Sequence, residues 1–193
     1  RVLFRSTFKT ASILVALDDE VVDTNAVVDT GNGVLKMYGS AMKDHNWYRG
    51  GYQKISLPHI LGVSSNIGVS RIIDEKYANN PTKFVEGLYR IGIGQPLDLD
   101  IPGYQPPIIR YPNKQNWWKT TLAWMSIGYE TQIAPINTVT LYNAIANDGK
   151  MMRPRFIKKI VKNGETIQEF PPEVIKEQIA KPTTIKTMQT ILE

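Results

Sequence analysis

Ser6-Thr7-Phe8-Lys9-Thr10-Ala11-Ser12-Ile13-Leu14-Val15-Ala16-Leu17 contains no glycine or proline and is apolar almost all the way round. A helix with that pattern has no wet face, so the stretch predicts a buried helix with its strongly polar groups in the first turn. Residues three apart share a helix face. This puts the Lys9 ammonium beside the Ser6 hydroxyl, at the positive end of the helix dipole and against apolar neighbours, and both influences disfavour protonated lysine. A lysine that ordinarily titrates near about 10.4 falls in such surroundings to roughly 7 or 8 and can take a proton from a nearby hydroxyl. On this reading Ser6 is a nucleophile, Lys9 is its base, and their side chains lie within hydrogen-bond reach.

A plainer reading stands beside it. Serine is a favoured N-cap, and a lysine one turn later can extend to water. With eight serines and fifteen lysines in 193 residues, chance alone supplies about 0.6 pairs at this spacing. The chain holds a second such pair, Ser40-Ala41-Met42-Lys43, in a polar stretch after Gly39 with no apolar run behind it. Nothing there would desolvate the lysine, so this pair is expected to be solvated and inert.

The length suits one domain or a piece of one, and 42% hydrophobic content is ordinary for a globular chain. The net charge of +5 comes from dispersed lysines and arginines with no basic run, which argues against a nucleic-acid partner. No apolar stretch reaches the roughly 18 to 20 residues of a membrane span, and no leader pattern opens the chain, so any export address lies outside it. The absence of cysteine excludes disulfides, thiol catalysis and thiolate metal sites. Arg1-Val2-Leu3-Phe4-Arg5 enters the first motif without a cap or turn, and Arg-Val-Leu-Phe-Arg-Ser back-translates into a sequencing-adapter tail. Residues 1–5 therefore read as foreign, with the native chain beginning at Ser6 or Thr7.

Further along, Val27 to Tyr38 reads as two short strands about a tight turn at Gly31-Asn32-Gly33. A polar loop through Asp44, His45, Trp47 and Tyr48 follows. Ser56-Leu57-Pro58 starts a helix, Gly62 interrupts it, and Ser64-Ser65-Asn66 forms a polar corner before a helix over 67–77, with Asn66 in the loop. Asn80-Pro81 starts another helix to about Ile91, and 92–112 is a long Gly- and Pro-rich segment. Pro135 opens a helix closed by Asp148-Gly149, Asn163-Gly164 centres a hairpin, and Lys181-Pro182 begins a last helix.

Ser6-Thr7-Phe8-Lys9, Ser64-Ser65-Asn66 and Ser126-Ile127-Gly128-Tyr129, followed by Asn143-Ala144-Ile145-Ala146-Asn147-Asp148-Gly149 and Arg153-Pro154, occur in that order. Together they resemble the transpeptidase domain of class B penicillin-binding proteins over nearly the whole chain from Ser6 onward. The resemblance implies an α+β, penicillin-binding and serine β-lactamase-like transpeptidase fold, incomplete here: helical lobe and hairpins present, much of the central antiparallel sheet missing. It makes residues 1–193 a partial transpeptidase domain truncated at both ends. Ser6 matches the acylated nucleophile, Lys9 the base, Ser64 a proton-shuttling serine expected beside Lys9, and Asn66 the amide that holds the substrate peptide. Without the family, Ser64 and Asn66 read as an ordinary capped turn.

The same resemblance implies a D,D-transpeptidase that cross-links peptidoglycan stem peptides through a serine acyl-enzyme. It needs no metal or cofactor. β-Lactams are implied as ligands, and glycosyltransferase and division or elongation proteins as partners of the full-length parent. The catalytic domain is implied on the periplasmic side of the bacterial inner membrane. The oxyanion would be held partly by the Ser6 backbone N–H at the helix start. A serine β-lactamase or a non-catalytic β-lactam sensor of the same fold is the alternative. Two departures stand out: Phe4-Arg5 replace the usual Pro-Gly before the nucleophile, and no Lys-Thr-Gly motif is present. Lys186-Thr187-Met188 lacks the glycine and falls on a predicted helix. This implies a chain that is inactive as it stands. His45 and His59 are too few for a Ser-His-Asp triad or metal site, and Trp117, Trp118 and Trp124 read as packing residues.

Overall fold

The computed structural model describes the backbone of residues 2–113 and 115–193 and the side chains of residues 6–113 and 115–193. The expectation that residues 1–5 are foreign concerns side chains outside the described residues.

Helices alternate with short strands. In chain order come α1 (Val2–Asp18), β1 (Val27–Asp29), β2 (Val34–Met37), β3 (Ser40–Lys43), a 3-10 turn (Trp47–Arg49), β4 (Lys54–Ser56), α2 (Leu57–Gly62), α3 (Asn66–Tyr77) and α4 (Pro81–Arg90). Then follow β5 (Ile108–Ile109), α5 (Thr121–Met125), β6 (Thr131–Gln132), α6 (Pro135–Ala146), β7 (Met151–Met152), β8 (Lys159–Lys162), β9 (Glu165–Glu169), β10 (Val174–Lys176) and α7 (Pro182–Leu192). The fold is α+β, as expected. Among the described residues every strand belongs to a two-stranded antiparallel pair, and no larger sheet forms.

Helix α1 is the axis of the molecule. Its apolar circumference is covered by α3, α4, α6 and α7, leaving Ile13, Leu14, Val15 and Ala16 with no exposed surface. The approach of α4 is close enough to require glycine: a Cβ on Gly87 would stand 2.4 Å from Val15 Cγ1. Polar side chains lock the helix in place. Ser12 Oγ donates to Ser126 O at 2.7 Å, Thr10 Oγ1 and Tyr142 Oη are 2.6 Å apart, and Asp18 accepts from the Lys181 N–H that opens α7.

Three readings of local structure change. First, β1 and β2 do not pair across Gly31-Asn32-Gly33; β1 pairs with β4 and β2 with β3. The β2–β3 hairpin turns at Tyr38 and Gly39, both at positive φ, and tyrosine is not a residue that announces such a turn. Second, Asn66 is not in a loop but is the first residue of α3. Third, the helix carrying Ser6 begins at Val2, so Ser6 lies in its second turn. The hairpin at Asn163-Gly164 is as read, with both residues at positive φ.

Candidate active site

The geometry of Ser64 follows from how α2 stops. Ser65 N–H donates to Ile60 O at 2.9 Å and Ser64 N–H to Leu61 O at 3.0 Å, the paired bonds of a Schellman ending. The residue between such bonds adopts the left-handed conformation, and glycine is its usual occupant. Here it is Ser64, with φ +54°. A non-glycine residue persists in that region where its surroundings hold it. Lys9 does so, donating from Nζ to both Ser64 Oγ and Ser64 O at 2.7 Å.

The next residue starts α3. Ser65 is buried, accepts from Gly68 N–H as N-cap at 2.9 Å, and donates to Asp44 Oδ2 at 2.8 Å. Asp44 Oδ1 accepts from Ile67 N–H at 3.0 Å. A buried carboxylate from the end of β3 thus satisfies the positive start of α3. The one-residue alternation sends Ser65 inward while Ser64 and Asn66 face a cleft. Asn66 Nδ2 donates to Lys43 O at 2.8 Å, which leaves its amide oxygen available to accept.

That cleft, about 750 Å³, is bordered by Ser6, Lys9, Ser64 and Asn66 together. Ile127 and Tyr129 close another side, delivered by the 126–129 stretch that Ser12 anchors to α1. The four residues singled out in the sequence therefore share one cavity. Lys9 is 3% exposed and its pKa is lowered to about 8, because burial penalises the ammonium; the Asp44 carboxylate opposes that shift. The size of the shift is as expected, and burial is its largest cause. Among the described residues, the hydrogen bonds given by Lys9 Nζ go to Ser64. An ammonium has three donors, so one remains for Ser6.

In the sequence Asp44 reads only as part of a polar loop, because its role depends on the distant helix start at Asn66. His45 lines the cleft, whereas His59 packs edge-on to Tyr52 at 6.3 Å. Trp117 and Trp124 pack against the core and Trp118 is exposed. Ser40 and Lys43 are exposed positions on a strand, where side chains three apart point to opposite faces, so they form no catalytic pair. Among the described residues no group of three or more His, Asp or Glu side chains could hold a metal ion, and no helix is long and apolar enough to cross a membrane.

Known proteins share this fold. The description "Penicillin binding protein transpeptidase domain" matches residues 5–193. The chain is 28% identical over 171 residues to the peptidoglycan D,D-transpeptidase FtsI of Escherichia coli K12, covering 89% of this chain and 27% of that protein. It is 29% identical over 180 residues to FtsI of Buchnera aphidicola, covering 93% of this chain and 30% of that protein. The chain thus spans less than a third of the length of these relatives. Among solved structures, the apo TP domain of penicillin-binding protein 3 from Burkholderia pseudomallei superposes with a TM-score of 0.76 at 27% identity, covering 97% of this chain and 51% of that one. With the fold, the shared cleft and the match over almost its entire length in agreement, the chain belongs to the penicillin-binding protein transpeptidase domain family.

Proposed function

We propose that the cleft is the acylation site of a peptidoglycan D,D-transpeptidase, of which residues 1–193 are a partial catalytic domain with a foreign start at residues 1–5. The observation that carries this reading is the buried Lys9 Nζ held 2.7 Å from Ser64 Oγ in a cavity shared with Ser6 and Asn66. Lys9 with a pKa near 8 is partly neutral at mildly alkaline pH and accepts the Ser6 proton as Ser6 Oγ attacks the carbonyl between two terminal D-alanines. The tetrahedral intermediate collapses when the departing D-alanine nitrogen takes a proton, relayed from Lys9 through Ser64. The ester on Ser6 is then attacked by an amine of a second peptide; that amine loses a proton to the same relay, and the Ser6 hydroxyl is restored. Asn66 orients the donor peptide through its amide oxygen.

β-Lactams enter the same scheme, since they acylate the serine and leave no group to depart. Lys-Thr-Gly, glycosyltransferase and division or elongation partners, and placement on the periplasmic face of the inner membrane belong to the full-length protein on this reading. The test is to incubate that protein with a fluorescent penicillin and locate the adduct by mass spectrometry. A long-lived adduct on Ser6, lost in Ser6→Ala, is expected. Labelling that survives Ser6→Ala overturns the assignment, and rapid deacylation points to a β-lactamase.

A further inference from the structure

Residues 155–169, the β8–β9 hairpin and its lead-in, are exposed without interruption. None of them lines the acylation cleft. Phe156, Ile157, Ile160, Val161 and Ile167 leave between 43% and 62% of their surface in water, and the first four fall within six residues of one arm. Exposed apolar surface gathered in this way marks an interaction site. The stem of the hairpin is fixed. Arg153 donates to both carboxylate oxygens of Glu173, at 2.8 and 3.0 Å, and to Leu97 O, while Arg155 donates to Phe170 O across the base. A two-stranded ribbon is marginal by itself, so these bonds hold in place a strand pair whose own side chains stay in water.

Among the described residues β8 has β9 as its one strand neighbour. Its other edge therefore offers alternate N–H and C=O groups to an incoming chain. The two strands differ in charge: Lys159 and Lys162 of β8 stand opposite Glu169 and Glu165 of β9. A strand added beside β8 would run about 4.8 Å from the lysines and about twice as far from the glutamates. It would also meet the arm with four of the five exposed apolar residues, since Ile167 alone lies on β9.

Two other occupants fit less well. An anionic lipid surface is held by clusters of about four to eight cations, whereas here Arg155, Lys158, Lys159 and Lys162 are half offset by Glu165 and Glu169. Lipid also has no groups to pair with a strand edge. A two-fold dimer through β8 would set lysine against lysine, and one through β9 would set glutamate against glutamate.

We infer that the open edge of β8 docks an extended segment of another protein, in which two carboxylates three residues apart flank an apolar pair, as a third strand of the hairpin. That spacing sets the carboxylates opposite Lys159 and Lys162 and the apolar pair opposite Ile160 and Val161. The inference does not depend on the chemistry proposed for the cleft.

The test follows hydrogen exchange of the full-length protein by mass spectrometry, with N-acetyl-Thr-Glu-Val-Val-Glu-Thr-amide or its counterpart carrying lysine for glutamate. The acidic peptide is expected to slow exchange across residues 157–162 and to bind about tenfold more tightly than the basic one, the scale of two cross-strand charge pairs changed in sign. Lys159→Gln with Lys162→Gln removes that preference and leaves penicillin labelling of Ser6 unchanged. Exchange that is not slowed at β8, or equal affinity for the two peptides, overturns the inference. Slowing by phosphatidylglycerol vesicles and not by peptide assigns a lipid surface instead, and slowing that grows with protein concentration alone assigns a second copy; either result also overturns it.

Discussion

Two hydrogen bonds of 2.7 Å join Lys9 Nζ to the hydroxyl and the carbonyl of Ser64, across a sequence separation of 55 residues. The lysine comes from a helix whose residues 8–18 are all buried, and the serine from the left-handed residue that ends another. Each is unfavourable alone, one as a desolvated cation and the other as a strained backbone. Together they supply a hydroxyl and an amine at proton-transfer distance, which is where departures from local preference are expected to collect.

Ser64→Gly separates the two roles of that residue. Glycine relieves a left-handed strain of about 1 kcal/mol and forfeits a hydrogen bond of similar worth, so thermal stability is expected to change by less than about 1 kcal/mol. Penicillin acylation of the full-length protein should fall by about a hundredfold or more, the usual worth of a positioned proton carrier. A large loss of stability without loss of acylation would refute the assignment.

Lys9 makes stability depend on pH in a defined direction. Its folded-state pKa of about 8 lies below the ordinary 10.5, so between those values the unfolded chain holds a proton that the folded chain has released. Stability therefore rises with pH from about 8 to 10.5, and the full penalty applies below pH 8. Urea unfolding at several pH values should show this rise in the wild type and a flatter profile in Lys9→Met. The wild-type acylation rate should climb through a midpoint near pH 8.

Asp44 is tested by two substitutions. Asp44→Ala leaves the Ser65 hydroxyl and the Ile67 N–H without their acceptor, at about 1 to 3 kcal/mol for each buried group. Asp44→Asn keeps an oxygen acceptor for Ile67 and reverses the Ser65 contact, its amide donating to the Ser65 hydroxyl oxygen, while removing the charge that raises the Lys9 pKa. Chemical unfolding should rank Ala well below Asn, and the Lys9 side-chain NMR titration should move to lower pH in Asn. An unmoved midpoint would show that Asp44 acts on α3 alone.

Gly87→Ala probes the packing of the central helix. The added methyl would meet Val15 Cγ1 at 2.4 Å, and Val15 has no exposed surface. A loss of about 1 to 3 kcal/mol is expected in thermal unfolding, and pairing it with Val15→Ala should restore part of that loss.

Local sequence was enough to mark α1 as a buried helix, because an apolar circumference leaves a helix no solvent face. It also located the helices opened by Pro58, Pro81, Pro135 and Pro182 and the Asn163-Gly164 hairpin, since proline and Asn-Gly act within a few residues of themselves. Ser6, Lys9, Ser64 and Asn66 were legible as a set of motifs, but their meeting in one cavity is a property of the packed chain. Tertiary structure alone decided that β1 pairs with β4, that Asp44 caps α3, and that Lys43 stands on the cleft wall beside Trp47. It also decided which groups shift Lys9. Desolvation and the field of Asp44 exist only once distant segments have closed around the amine, and no window of neighbouring residues contains them.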